Sequence, residues 1–344
     1  MTKVEKSSSI YATKEDNSGS LYLDKLETTS DCTLTKNHRT LYNTAILKHK
    51  QNDKLVGLMN LNISNKHWRK QYQKTYYCSH VKLQDKSRLK GSLCRKRWCQ
   101  ICNRIKTAEL INGYLEPFSE LQKEDELYLV TLTAPTCKER ELKSQIRGRL
   151  KTFTRVKDNL RKRHNIKLNG YRKIECTYNE VENRYHPHFH LIVQGYSESI
   201  KLRELWLKSF EHLPKKQRAS IKAQDISRID NLDEDQKGLK EVFKYATKGT
   251  VKNDTQINAE DIIQKALVGT RIYQPYGKIR KVKEPKEKTT SDIQIDWKEP
   301  TMDIYVFDQG QKDWINATNE TLVGVKDIDS FNNNKDKLIW QDQK

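Results

Sequence analysis

Residues 185–193, YHPHFHLIV, set three of the chain's nine histidines at alternate positions. On an extended strand alternate side chains share a face. His186, His188 and His190 therefore point one way, and Phe189 and Leu191 the other. Pro187 has no N–H to give to a ladder, which suits a strand start or an edge. His188 and His190 are the cleaner pair, because two neutral imidazoles side by side can share a divalent ion. Histidines half-buried without an ion are the alternative. Upstream, GYRKIECTY (170–178) also alternates, and NEVEN (179–183) between the two runs reads as a turn. Together they predict a β-hairpin. Such pairing brings Glu175 beside His188 as a carboxylate ligand, although the sequence leaves the register open. His186 is a third imidazole within reach.

The flanking sequence predicts an α+β fold with an antiparallel sheet. LYLVTLTAP (127–135) is β-branched, aromatic and stopped by Pro135. Leu142, Ile146, Leu150, Phe153 and Leu160 recur at helical spacing between residues 141 and 164. IKLRELWLKSFEHL (200–213) reads as a helix and AQDISRI (223–229) as an edge strand. A helix over 233–249 starts in acidic residues and closes at Gly249. The expected organisation is a polar, poorly ordered arm over 1–51, a basic Cys-containing region over 52–116 and a globular unit over 127–282. A linker and acidic tail over 283–344 complete it, the tail with apolar residues enough for a small hairpin.

The 344 residues carry a net charge of +20, with an isoelectric point near 9.5. Residues 291–344 hold 6 Lys and Arg against 11 Asp and Glu, a net of −5, so the rest carries +25. A surface this lopsided attracts polyanions, and nucleic acid leads the list. No run of about 18 apolar residues occurs, which predicts no membrane span. The first residues hold no apolar core of a secretion signal. Seven cysteines, an odd number, argue against a disulfide framework and for a reducing, cytoplasmic setting.

Four of those cysteines stand in CSHVKLQDKSRLKGSLCRKRWCQIC (78–102). Cys99 and Cys102 have the spacing of a zinc knuckle, in which two thiolates bind one tetrahedral ion. Cys94 is near enough to join. Cys78, across a 15-residue loop, would complete a four-cysteine site, with His80 as its substitute. Reduced, buried cysteines are the alternative. Arg95, Lys96, Arg97 and Arg104 surround the segment and suggest contact with DNA.

The HPHFH strand resembles the metal motif of HUH endonucleases, and more closely the replication initiators of rolling-circle plasmids. In that family a tyrosine motif lies downstream, a Glu three residues before the Tyr with lysines around it. KEVFKYATKG (240–249) is similar, and the match falls on Glu241, Lys244, Tyr245 and Lys248. In a helix Glu241 lies about 40° from Tyr245 and Lys248 about 60° on the other side. A surface helix with ordinary side-chain contacts is the alternative reading. The family also carries a strand like LYLVTLTAP and a C-x4-C-x2-C segment. Here Trp98 and Gln100 depart from its usual residues. The resemblance covers about residues 77–282.

It implies an antiparallel sheet flanked by helices, with the zinc-knuckle-like segment before it. It implies that Tyr245 attacks a phosphodiester, leaving a 5′-phosphotyrosine and a free 3′-OH. Lys248 and Lys244 would favour the phenolate or the transition state, and Glu241 would activate water at termination. The catalytic ion would be Mg²⁺ or Mn²⁺ on His188 and His190, with Glu175 and His186 as further ligands. The structural ion would be Zn²⁺ on Cys78, Cys94, Cys99 and Cys102. The implied partners are a single-stranded or hairpin DNA origin and the host helicase and polymerase. Tyr178, Tyr185 and Tyr273 are the lesser nucleophile candidates. A transposase or relaxase with the same chemistry, and a non-enzymatic zinc protein that binds nucleic acid, are the competing functions.

Overall fold

The computed structural model describes residues 32–85, 88–230, 232, 237–243, 253–282 and 303–323. The chain begins with helices α1 (Cys32–Leu61) and α2 (Lys66–Tyr76), followed by strands β1 (Val81–Asp85) and β2 (Arg88–Gly91). Next come α3 (Gln100–Glu124), β3 (Leu127–Leu132), α4 (Glu139–Arg163), β4 (Gly170–Asn179), β5 (Arg184–Gln194) and α5 (Tyr196–Lys208). The last elements are β6 (Asp225–Ile229), α6 (Lys237–Phe243), α7 (Asp254–Ala266), β7 (Tyr273–Tyr276), β8 (Ile304–Asp308) and β9 (Asp313–Asn316).

Five strands form the central sheet in the order β6-β3-β5-β4-β7, with every pair antiparallel. β5, the histidine strand, is its middle member. The β4–β5 hairpin turns at NEVEN, where Asn183 takes φ +48° and the Asn179 side chain accepts from the Glu182 N–H at 3.2 Å. That turn fixes the register: Glu175 stands opposite His188, Lys173 opposite His190 and Thr177 opposite His186. Gly170 opens β4 at φ +150°, where a Cβ would run into the Ile192 carbonyl. Only glycine fits there without displacing the strand beside it.

The sheet buries both faces. Toward α4, α5 and α7 it presents Val130, Leu132, Ile174, Phe189, Leu191 and Val193. Toward α3 and α6 it presents Leu127, Tyr171 and Ile192, against Tyr114, Phe118, Leu239, Val242 and Phe243. Phe189, between the two histidines in sequence, is fully buried on the first face, edge-on to Trp206 of α5 at 5.6 Å. The Trp206 indole N–H donates to the Thr133 carbonyl at 2.7 Å, which locks the pair. Phe189→Ala is expected to cost about 3–5 kcal/mol by urea unfolding, through lost burial and a cavity directly behind the histidines.

Two expectations are corrected. From Cys32 onward the expected arm is the helix α1, and Ala45, Leu55 and Leu58 on it are buried. Residues 1–31 lie outside the described residues. The tail hairpin exists, as β8–β9, but it is no separate appendage. β8 pairs with β1, giving a second antiparallel sheet in the order β2-β1-β8-β9. Phe307 and Trp314 pack against Ala45 of α1, so the hairpin belongs to the Cys-containing part. The expected edge strand is β6, and the 200–213 helix starts earlier, at Tyr196. No helix among the described residues is long and apolar enough to cross a membrane.

Candidate active site

The β4–β5 register sets a row of polar groups on the α3/α6 face of the sheet. Glu175, His188 and His190 each offer a ligand atom, and these lie within 4.8 Å of one another. The two Nε2 atoms are 3.1 Å apart, and His190 Nε2 is 3.5 Å from Glu175 Oε2. Cis ligands of an ion with bonds of about 2.1 Å stand about 3.0 Å apart, so the spacing fits a divalent cation. The other ring nitrogens are engaged. His188 Nδ1–H donates to the His186 carbonyl at 2.9 Å, and His190 Nδ1 meets the Thr131 hydroxyl of β3 at 3.3 Å. A carbonyl accepts and never donates, so the bond from His188 leaves its Nε2 as the lone-pair atom. Two imidazoles and a carboxylate, with both Nε2 atoms converging, are a donor set for a metal ion.

His186 is not brought into that group. Its ring stacks on that of His188 at 4.9 Å between centroids, one step along the face. Burial, and then the charge of Arg149, push its pKa down. Burial also lowers His188, to about 4, against the raising effects of its bond to His186 and of Glu175. His188 is thus neutral near pH 7, the form that ligates. Burial by itself would raise the Glu175 carboxyl. The His190 hydrogen bond and the Lys173 charge outweigh it and hold the carboxyl at about 2.

Sequence reasoning missed Lys173 and Thr131. Lys173 is fully buried, with Nζ 2.8 Å from Glu175 Oε2. Strand parity puts Lys173 on the Glu175 face, a signal present in YRKIECTY. Lysine is so seldom buried that composition argues against it. Thr131 lies opposite His190 on β3, as the LYLVTLTAP strand permits.

α6 packs on this same face and ends at Phe243, whose ring lies 4.9 Å from that of Tyr171. The Phe243 carbonyl accepts from Thr107 at 2.9 Å and from the Tyr273 hydroxyl at 3.4 Å. Tyr245 follows two residues later in sequence. Tyr245, Lys244 and Lys248 lie outside the described residues, as does the Glu241 side chain. Among the other tyrosines considered, Tyr178 and Tyr185 belong to the α4/α5 face, away from the ligands. Tyr273 shares the ligand face, but burial and then Glu175 push its phenol far above the ordinary value.

The four cysteines gather at the start of α3, where Cys99 is the cap and Cys102 lies in the first turn, their sulfurs within 4.8 Å of one another. Cys78 and Cys94 lie 3.5 and 3.7 Å from Cys102. A tetrahedral zinc site with bonds of about 2.3 Å needs sulfurs about 3.8 Å apart. Backbone N–H groups of Cys94, Arg95 and Cys102 point at the sulfurs of Cys78, Cys102 and Cys99. Hydrogen bonding within the cluster, from Cys102 first, drives the Cys94 thiol strongly down and those of Cys78 and Cys99 up. Four sulfurs at this spacing become thiolates together only around a cation. His80 is not in the group. The Lys48 ammonium braces the site, donating to the Tyr76 and Cys78 carbonyls at 2.8 and 2.9 Å. Cys99 also caps α3. Cys99→Ser is expected to abolish stoichiometric zinc by elemental analysis and to lower the thermal transition, because a structural ion's binding energy is folding energy.

Comparison with known proteins fits this picture. The replication protein family matches residues 86–314, two thirds of the chain, from the β1–β2 connection into β9. A Staphylococcus aureus protein named "Protein rep" is 29% identical over 107 residues, covering 30% of this chain and 46% of that protein. Another "Protein rep", from Streptococcus pneumoniae serotype 2 (strain D39), is 25% identical over 175 residues, 46% of this chain and 51% of that protein. The chain spans about half the length of these curated relatives. No solved structure matches. A family match over two thirds of the chain, holding three of the four clustered cysteines and the histidine strand, assigns the chain to the replication protein family.

Proposed function

We propose that this chain initiates rolling-circle replication of a small plasmid, as an HUH-type nuclease that nicks one strand at the origin. One observation carries the reading. Glu175, His188 and His190 converge on the sheet face where α6 ends, two residues before Tyr245. Paired histidines on a central strand, with a tyrosine downstream in sequence, are the parts a phosphodiester transfer needs.

Tyr245 is the nucleophile. Its phenol oxygen forms a bond to phosphorus, the P–O3′ bond breaks, and the 3′ oxygen leaves to become a free 3′-OH. The phenol gives up its proton, and the 5′ phosphate stays on the tyrosine. Lys248 and Lys244 supply positive charge where the phenolate and the phosphorane oxygens develop. Glu241 serves as the base that activates water when the reaction ends. Glu175, His188 and His190 would hold a Mg²⁺ or Mn²⁺ ion, which would supply Lewis-acid neutralisation of the scissile phosphate. Two imidazoles favour Mn²⁺ over Mg²⁺, which prefers oxygen. Lys173 keeps the Glu175 carboxylate ionised and aimed, and Thr131 orients His190. Cys78, Cys94, Cys99 and Cys102 would hold a Zn²⁺ ion, which would fix the basic segment beside α3. The substrate is origin DNA, single-stranded or extruded as a hairpin, and the 3′-OH is a primer for host polymerase behind a host helicase.

The test is to mix the protein with Mn²⁺ and an end-labelled single-stranded oligonucleotide carrying the plasmid origin. A covalent protein–DNA band that needs the ion is the expected result. Origin binding with no adduct under any divalent ion would leave a non-enzymatic binding protein instead.

A further inference from the structure

A cleft of about 560 Å³ lies between the knuckle, α3 and β7. Among the described residues its walls carry Arg95, Lys96, Arg97, Lys106, Arg271 and Lys281 against one carboxylate, Glu109. Cations gathered in one concavity repel each other, and low-dielectric walls focus their field outward, so the arrangement favours a polyanion. The cations come from three places: the loop before α3, α3 itself and the ends of β7. Spread along the walls, they suit successive phosphates of a chain better than one compact anion. Half-buried Tyr273 contributes aromatic surface to the lining, and Tyr114 and Tyr171, also part of it, are buried.

The cleft adjoins the ligand row. Tyr273 pairs with Lys173 across β7–β4, and Lys173 pairs with His190 across β4–β5. Adjacent strands lie about 4.8 Å apart, so the β7 wall stands about 10 Å from the His190 position. The volume is that of a small-molecule pocket and is too small to take a duplex. Arg97 is committed to the wall, with its guanidinium 2.6 Å from the Leu267 carbonyl.

We infer that this cleft carries the single-stranded DNA next to the scissile phosphate, with neighbouring phosphates on Lys96, Lys106, Arg271 and Lys281. The inference rests on the strand-cleavage reading above and adds the path of the substrate to it.

Binding is measured in a Tyr245→Phe background, so that cutting does not enter, by fluorescence anisotropy of a labelled single-stranded oligonucleotide over a salt series. Adding Lys106→Gln, Arg271→Gln and Lys281→Gln together is expected to weaken binding at least tenfold at low salt. Three lost phosphate contacts should also flatten the log K against log salt slope by about 2. The same number of charges removed from the exposed outer face of α4, Lys143→Gln, Arg147→Gln and Lys151→Gln, should change affinity less than twofold. Equal losses in the two triple variants would overturn the cleft, as would equal competition by duplex of the same sequence. Should the cleft variant fold poorly, photo-crosslinking of a bromouracil-substituted strand to the unsubstituted cleft decides. Crosslinked peptides from 95–109 or 270–282 support it, and crosslinks confined to other segments overturn it. The two readings fail separately. Strand binding in the cleft without any adduct from the Tyr245 protein defeats strand cleavage alone. Normal adduct formation with unchanged binding in the cleft variant defeats the cleft alone.

Discussion

Tyr245→Phe is expected to abolish the covalent adduct and to lower nicking by a factor on the order of 10⁴ or more, the scale of losing a nucleophile. Oligonucleotide affinity should stay within a few-fold, because a phenyl ring fills nearly the same space. The expectation draws on the described tyrosines as well as on the motif. Tyr178 and Tyr185 pack on the face away from the ligands. Tyr273 is on the right face, but its hydroxyl is tied to the Phe243 carbonyl and its phenol is pushed far up by burial and by Glu175. A phenol that resists ionisation and donates to a carbonyl is a poor nucleophile. α6 delivers the chain to this face at Phe243, and Tyr245 is the next tyrosine in sequence.

The second large effect belongs to the histidines. His188→Ala with His190→Ala should remove about 10³-fold of cleavage, which at roughly 4 kcal/mol is the scale of electrostatic stabilisation at a developing charge. Mn²⁺ titrated by electron paramagnetic resonance should remain free in solution with this variant and bind near stoichiometrically to the unsubstituted protein. Zinc content should not change, because the cysteine cluster stands in a different part of the chain. His186→Ala separates its two possible roles. Its ring stacks on His188 but is not among the converging ligand atoms, so Mn²⁺ binding should fall by much less than in the double variant. Loss of binding equal to that of His188→Ala would make His186 a ligand.

Strand parity makes the shared face of His186, His188 and His190 legible in the sequence. The β4–β5 register was not legible, because it depends on how five residues turn, and it is what sets Glu175 opposite His188. Lys173 stayed hidden for a different reason. Its burial is tolerated through the ion pair with Glu175, which becomes visible only once both strands are placed. Residues 32–51 of the helix Cys32–Leu61 look like a polar arm in sequence because the inward face of the helix is itself polar. Lys48, Gln51, Asn52 and Lys54 are all buried there, so the hydrophobic period that announces a helix is broken. Lys48 donates to carbonyls 28 and 30 residues away, and the Asn52 side-chain N–H donates to Gln309 of the tail hairpin. Contacts at such separations leave no local trace. The cysteines are the opposite case, since their spacing carries the geometry and the sulfurs meet as the knuckle reading expects.

The most direct test of the central claim is to trap the adduct between the protein and a single-stranded origin oligonucleotide in Mn²⁺, digest it with trypsin and nuclease, and sequence the nucleotidyl peptide by mass spectrometry. The account predicts a 5′-phosphate on Tyr245, within the short peptide 245–248, and a free 3′-OH on the released strand. A phosphate on Tyr273 or any other residue, or an adduct that forms unchanged with His188 and His190 both replaced by alanine, would contradict it.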